Sequence, residues 1–532
     1  MWEAFLYTSF GLAASWVFSV FRQLFLHDKT EPPAVFHWIP YVGSAVAYGS
    51  DPVAFFEKYR AKYGDIFTFT LFGRSVTVYL GPDGNEFILN GKHADINAEE
   101  IYGPLTTPVF GKDVVYDCPN AKLMEQKRFV KFGLTQRALE GHVGLVEGEV
   151  LRYVNDTEGR GGWIGEAGEV DICAAMAEIT LFTAARSLQG REVREKLTAE
   201  MAELYHDLDM GFAPVNFLFP GLPLPRNRKR DIAHAKMRAV YLDLIQQRHD
   251  RLTARPHIIE DEQKEDDEHE HDMITNLMQS VYKNGTPVSD SEIANMMITL
   301  LMGGQHSSSS ASSWIMLELA ANPDVAEALY QEQLDNLLPS DHLPTTSKTQ
   351  LPPLTYADLD KLPLLHNVVK ETLRLHGSIH SIMRKVKNPL RVPGTPYVVS
   401  TDKVLLASPM VTAVSDEFFE DAKRWNPRRW DATAGDSKNK EEPSDQDTID
   451  YGYGAVAKSS TRNPYLPFGA GRHRCIGEKF AYLNLGVIVA TIVREFELST
   501  LDGSRGVVPK TDHSSMFARP AAGSMIRWRR RK

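Results

Sequence analysis

Near the C-terminus one cysteine stands in a glycine-rich, basic loop, Phe468-Gly469-Ala470-Gly471-Arg472-His473-Arg474-Cys475-Ile476-Gly477, that runs into an apolar stretch with helical spacing. The glycines at 469, 471 and 477 admit backbone conformations closed to other residues and let a flat molecule approach the main chain. Cys475 is expected to open the following helix, where unbonded backbone N–H groups and the positive end of the dipole favour a thiolate. A thiolate so placed suits the axial ligand of a haem iron, where its electron density promotes O–O cleavage. Two other readings stand beside it: a lone cysteine is commonly a buried structural residue, and a thiolate is also a nucleophile. Arg472, His473 and Arg474 are poor core neighbours, and they suit carboxylates and an electron-donor surface.

A second cluster lies in a long helical pattern. Ser289-Asp290-Ser291-Glu292 forms a capping box, and the pattern runs on to Asn322-Pro323. About 32 residues at ~1.5 Å each make a rod of ~48 Å. At its centre Gly303-Gly304-Gln305-His306-Ser307-Ser308-Ser309-Ser310 is costly in helix propensity, so function or close packing must explain it. Gly303 and Gly304 remove bulk where a cofactor, dioxygen or substrate would approach. Ser307 can bond the Gly303 carbonyl or turn toward bound oxygen, and His306 can relay protons. The alternative is a small-residue groove for another helix, with a satisfied histidine.

A third cluster joins distant segments. Glu371 and Arg374 share a helix face, and Trp425-Asn426-Pro427-Arg428-Arg429-Trp430 brings a second guanidinium through Arg429. A carboxylate buried between two guanidinium groups is a structural knot rather than a reacting group.

These motifs need a large frame. The chain has 532 residues, no Pro/Gly/Ser-rich linker through its middle and no internal repeat, so one catalytic unit over residues 31–532 is expected, behind a membrane anchor at 1–30. A net charge of −10 argues against nucleic acid as a partner. Three cysteines give no disulfide framework. Ala4 to Phe21 carries no charge and is just long enough for a single transmembrane helix, with Arg22 and Lys29 placing the body on the cytosolic side. Mainly helical periodicity is interrupted by an expected hairpin, residues 66–72 and 76–80 joined by Gly73-Arg74-Ser75. Polar loops are expected at 260–272, 338–355 and 431–447.

Taken in chain order, the three motifs resemble the cytochrome P-450 superfamily, and from about Glu31 onward the chain is similar to the fungal sterol 14α-demethylases. The resemblance rests on Pro32-Pro33-Ala34-Val35-Phe36-His37-Trp38, on Pro104-Leu105-Thr106-Thr107-Pro108-Val109-Phe110-Gly111 and Val115-Tyr116-Asp117-Cys118-Pro119-Asn120, and on Leu208-Asp209-Met210-Gly211-Phe212-Ala213-Pro214. His306, where the wider superfamily carries an acid, favours the sterol branch. Departures are Gly377-Ser378, Ser307 in place of threonine, His513 in place of tyrosine, and Gly103 in place of a larger residue.

The resemblance implies a mainly α fold, the P-450 helical bundle with a long central helix and small β-sheets, preceded by an N-terminal transmembrane helix. It implies haem b with Cys475 as iron ligand in the loop of Phe468 and Gly469, and Tyr102, Tyr116, Lys127, Arg384 and His473 holding the propionates. Tyr116, Phe110, Phe212, Met302, Gly303, His380, Ser381 and Met516 would line a sterol cavity. His306, Asp209 and Ser307 would be the catalytic side chains, and Glu371, Arg374 and Arg429 structural. The implied reaction removes the 14α-methyl of lanosterol or eburicol in ergosterol synthesis, at the endoplasmic reticulum membrane. Electrons would come from NADPH through a flavoprotein reductase docked on Lys122, Lys127, Arg128, Lys131, Arg472 and Arg474, and azole inhibitors would bind. A haem protein that holds sterol or azole without turnover, or a paralogue acting on another sterol, is the competing reading.

Overall fold

The computed structural model describes residues 2–25, 28–157, 163–197, 199–254, 273–338, 351–431, 461–515 and 517–532. The expected loop at 260–272, most of those at 338–355 and 431–447, and Met516 lie outside the described residues. The chain is mainly helical with small sheets, as expected. It divides into two compact units, one of Met1–Pro104, Ile379–Lys423 and Gly454–Arg474, the other of Leu105–Ser378, Arg424–Tyr453 and Cys475–Lys532. Its strands include β1 (Ile66–Leu71), β2 (Arg74–Tyr79), β3 (Ile96–Asn97), β4 (Ala167–Asp171), β5 (Ile382–Val386), β6 (Val404–Ala407), β7 (Phe496–Thr500) and β8 (Met525–Arg530).

In the first unit the expected hairpin forms, with Ile66 opposite Tyr79 and Leu71 opposite Arg74. Its turn is shorter than expected: Phe72 (φ 47°) and Gly73 (φ 77°) close it alone, and Arg74 and Ser75 join β2. Two successive left-handed residues match the twist of the flanking strands, which frees the rest for pairing. The five-stranded sheet runs β1-β2-β6-β5-β3, with β2 and β6 parallel. Leu466 and Ala470 are buried in the apolar cluster of Ile66, Ile88, Leu405 and Ala407, so the sheet's core fixes the start of the cysteine loop.

The N-terminal apolar run folds as helix α1 (Trp2–Phe25). Among the described residues no helix is long and apolar enough to cross a membrane. Polar contacts tie α1 to the segment after it. Trp16 Nε1 donates to the Trp38 carbonyl at 2.7 Å, and Gln23 accepts from the His37 amide at 2.9 Å.

The second unit is built from helices. They include α2 (Glu99–Phe110, whose first turns belong to the first unit), α3 (Asn120–Val130), α4 (Ile172–Ala184), α5 (Ala199–Asp209), α6 (Pro225–Ala254), α7 (Asp290–Ala321), α8 (Pro363–Leu375) and α9 (Glu478–Glu495). The long helix, α7, has the expected 32 residues and the expected capping box of Ser289 and Glu292. Hydroxyls along α7 return bonds to their own helix, Thr299 to the Asn295 carbonyl, Ser312 to Ser308 and Ser313 to Ser309, whereas Ser310 donates to the Ala518 carbonyl at 2.8 Å. α7 runs through two apolar clusters. One gathers Trp314, Ile315 and Leu319 with α9. The other gathers Ile293, Met297, Leu301 and Met302 with α5 and α6. A three-stranded sheet, β4-β8-β7, closes the far edge.

Candidate active site

The cysteine loop is shaped by glycine. Gly471 has φ +65°, and a Cβ there would stand 2.2 Å from the Leu89 carbonyl oxygen, so only glycine lets the loop lie on that backbone. Gly469 (φ +68°) meets nothing within 4 Å of where a Cβ would stand, leaving its face open. Residues 471–473 form a single 3₁₀ turn, and α9 begins at Glu478 with Gly477 as its N-cap. Cys475 therefore precedes the helix rather than opening it, because the turn and Gly477 use the residues that would have made its first turn. The thiol is exposed on its unit, against the structural reading that leaves a lone cysteine buried. Arg472 is drawn inward to donate to the Gly91 carbonyl at 2.5 Å, so it is not a surface charge.

Residues assigned to a haem by resemblance fall in both units. In the first, Arg384 is only 4% exposed, and its guanidinium donates to the Met383 carbonyl at 2.8 Å. No carboxylate pairs with it among the described residues, which leaves a buried cation suited to an anionic group. The Met383 amide donates to the Tyr102 hydroxyl at 2.9 Å, so β5 carries Tyr102 and Arg384 as one assembly. Burial pushes the Tyr102 phenol up, partly offset by Arg384. His473 lies in the 3₁₀ turn of the cysteine loop, just after Phe468 and Gly469. In the second unit Tyr116 lies in a 3₁₀ turn, Val115–Asp117, and Lys127 in the last turn of α3.

These features fit a haem. A thiolate in a glycine-shaped loop suits an iron whose other ligands come from a macrocycle. Gly303 supports this: it is exposed between a buried Met302 and a half-buried Gly304, with nothing within 4 Å of where a Cβ would stand. A flat group can approach the helix there.

Beside that opening α7 presents His306. Its Nε2 lies 3.3 Å from Asp209 Oδ1 at the end of α5, yet it makes no hydrogen bond. Burial pushes the imidazole pKa down, Asp209 raises it and Arg519 lowers it further, favouring the neutral ring. Asp209 keeps about a fifth of its side chain in solvent, so the pair reaches from water to a buried ring. The ring is boxed by Tyr205, Phe212 and Phe517, with Phe517 stacked at 5.4 Å. Phe212 in turn meets Phe110 at 5.6 Å. Phe110, Phe212 and His306 are thus brought together as expected, whereas Tyr205 and Phe517 were not foreseen. Phe517 was signalled only by its neighbour Met516. Ser307 donates to the Gly303 carbonyl at 3.2 Å.

His380 and Ser381 sit at the entry to β5. Their side chains bond at 2.9 Å, Tyr48 donates to Ser381 at 2.9 Å, and Ser408 donates to the His380 carbonyl at 2.6 Å. Tyr48 escaped sequence reading because nothing around it marks a site. Burial pushes its phenol well up, so it stays protonated as the donor.

Glu371 is fully enclosed. Arg374 grips it with two bonds of 2.9 and 2.8 Å, Arg429 adds one at 2.9 Å, and Trp430 Nε1 and the Asn426 amide add bonds of 3.1 and 3.0 Å. Arg428 faces solvent with Asp431. The two arginines were expected; the indole and the amide were not, since nothing in their types distinguishes them from neighbours.

Residues 33–528 match the cytochrome P450 family. The chain is 64% identical over 502 residues to a sterol 14-alpha demethylase of Gibberella zeae, covering 94% of this chain and 93% of the relative. It is 60% identical over 527 residues to a sterol 14-alpha demethylase of Aspergillus fumigatus, covering 99% and 97%. It is 55% identical over 522 residues to an eburicol 14-alpha-demethylase of Penicillium italicum, covering 98% and 96%. A solved structure titled retinoic acid-bound cyanobacterial CYP120A1 aligns with a TM-score of 0.71 over 95% of this chain and 100% of its own, at 20% identity, a likeness of fold alone.

Proposed function

We infer the chemistry from one premise: the chain belongs to the cytochrome P450 family, and by near-full-length likeness to fungal enzymes it is a sterol 14α-demethylase, a monooxygenase whose cofactor is haem iron. The thiolate-held haem supplies dioxygen activation and O–O cleavage.

The substrate is lanosterol or eburicol. Its 14α-methyl is oxidised in three rounds to alcohol, then aldehyde, then formic acid, leaving a C14–C15 double bond. Each round consumes a dioxygen molecule and an electron pair from NADPH, delivered by a flavoprotein reductase. Cys475 would hold the iron through its thiolate. Arg384, Tyr102 and His473, with Tyr116 and Lys127, give cations and donors for propionates. Phe110, Tyr116, Phe212, Met302, Gly303, His380 and Ser381 contact the sterol, and azole inhibitors compete there.

His306 passes protons inward from Asp209, which stays in touch with water. A neutral buried imidazole within 3.3 Å of a carboxylate can accept a proton at one nitrogen and release one at the other. Ser307, now bonded to the Gly303 carbonyl, supplies the last hydroxyl by rotating about χ1. The incompletely bonded His306, beside the opening at Gly303, is the observation that carries this reading. Reconstitution with reductase, NADPH and eburicol should release formate and the demethylated diene; sterol binding without product would reject turnover.

For the reductase, Arg128, Lys131 and Arg474 are the proposed contacts. Lys122 and Arg472 are committed elsewhere, Lys122 to Glu292 at 2.6 Å. The proposed location is the endoplasmic reticulum membrane, with α1 as the anchor and the body facing the cytosol. Exposed Phe10, Val17, Phe18, Phe21, Phe25, Trp38 and Ile39 support this. Removing residues 1–30 should shift the protein from the membrane to the soluble fraction.

A further inference from the structure

Between α2 and α3 the chain is bent hard. Gly111 (φ +95°), Asp113 (φ +66°) and Val115 (φ +53°) are all left-handed within five positions. A β-branched residue there is a true outlier, and such residues persist only where their surroundings over-determine them. Phe110 and Tyr116 flank this strained stretch.

The over-determination comes from the first turns of α7. Glu292 divides its carboxylate: Oε2 accepts from the Ser289 amide at 2.9 Å and hydroxyl at 2.7 Å, completing the capping box. Oε1 faces away from its own helix, accepting from Tyr282 at 3.0 Å and lying 2.6 Å from the Lys122 ammonium. Lys122 also reaches Asp113 at 3.5 Å. Gln126 donates to the Asp113 carbonyl at 2.8 Å and to the Tyr282 hydroxyl at 3.1 Å. One turn along α7, Asn295 donates to the Lys112 carbonyl at 2.9 Å, and a Cβ on Gly111 would stand 2.3 Å from that side chain. Burial pushes the Glu292 carboxyl up, but Lys122 and Ser289 outweigh it and hold it below the ordinary range, so it is charged at neutral pH.

We propose that Glu292 is a positioning residue for substrate: through Lys122 it holds the strained Gly111–Asp117 bend against α7 and so sets where Phe110 and Tyr116 meet the sterol. Its role in recognition is separable from its role as a helix cap. The proposal rests on the reading of Phe110 and Tyr116 as sterol contacts. A glutamine at 292 retains both capping bonds but loses the charge that holds Lys122.

The test uses full-length holoprotein. In Glu292→Gln, amides 111–117 should exchange hydrogen about tenfold faster, the scale of one lost charge-assisted bond. KM for eburicol should rise about tenfold, with kcat changing far less. Lys122→Met should do the same, and the double variant no more than either alone, since both break one link. Ser289→Ala removes the cap, and should lower thermal stability while leaving KM and the exchange of 111–117 as they were. Unchanged exchange in Glu292→Gln overturns the proposal. So does an equal rise in KM in Ser289→Ala, which would make Glu292 a cap and nothing more. Faster exchange without any change in KM would keep the mechanical link but reject Phe110 and Tyr116 as sterol contacts, and with them the role in recognition. The exchange readout needs no turnover, so a wild type that fails to demethylate eburicol would reject the proposed reaction without touching the link.

Discussion

Glu371, fully buried, and His306, largely buried, are polar groups of the second unit, and they are treated in opposite ways. Around Glu371 every acceptor direction is met, by two guanidinium groups, an indole and a backbone amide. Around His306 the ring nitrogen is left without a hydrogen bond, although a carboxylate stands 3.3 Å away. A fully satisfied charge has nothing left to exchange and so serves as a rivet. An under-bonded ring next to a wet carboxylate retains its capacity to gain and lose a proton. The completeness of bonding, more than burial or charge, separates a structural ionic group from a working one.

The contrast can be broken most severely at the rivet. Glu371→Ala leaves Arg374 and Arg429 as uncompensated buried cations, a loss of about 3–5 kcal/mol. Holoprotein should fail to accumulate, seen as absence of the thiolate-type band when reduced protein binds carbon monoxide; a normal yield would show that the knot is dispensable. His306→Ala should do the reverse, leaving that band and eburicol affinity near wild type while turnover falls roughly 10²–10⁴-fold. Equal losses in binding and turnover would make His306 a packing residue like its aromatic neighbours.

A gentler probe is pH. The folded-state pKa of His306 lies below its ordinary value of about 6.5, so the unfolded chain takes up the proton first. Its contribution to stability is therefore intact above about pH 6.5 and is lost as the pH falls toward the folded-state pKa. Thermal unfolding followed from pH 7.5 downward should show this acid-side slope, and His306→Gln should flatten it. The smallest effect is expected at Arg428, next to Arg429 in sequence but facing solvent with Asp431. Arg428→Ala should change stability by no more than about 0.5 kcal/mol, which denaturant titration would check.

Local signals carried much of the architecture. The Ser289–Glu292 box marked the start of α7, alternating apolar residues marked β1 and β2, and the Glu371–Arg374 spacing with Arg429 marked the knot. Each depends on neighbours within a turn or a strand, where sequence and geometry are nearly the same information. Long-range pairings were not legible. Lys122 was expected at a docking surface, but it meets Glu292 from across the unit. Arg472 was expected outside, yet turns to the Gly91 carbonyl. Both are long, flexible cations whose partners are chosen by the fold. The approach of Asp209 to His306 was implied by resemblance, but the missing hydrogen bond is an angle, and no spacing rule reports angles.

The first unit is assembled from three separate stretches, the last of them Gly454–Arg474. A ribosome delivers residues in order, at ~5–20 per second, so on the order of a minute passes between the first residues of this unit and its closing ones. Until Leu466 and Ala470 arrive, the apolar cluster of Ile66, Ile88 and Leu405 lacks two of its members. Apolar surface of this cluster therefore stays uncovered until late in synthesis. A premature stop anywhere before the cysteine loop would remove a ligand and also leave that cluster open, exposing apolar surface to quality control.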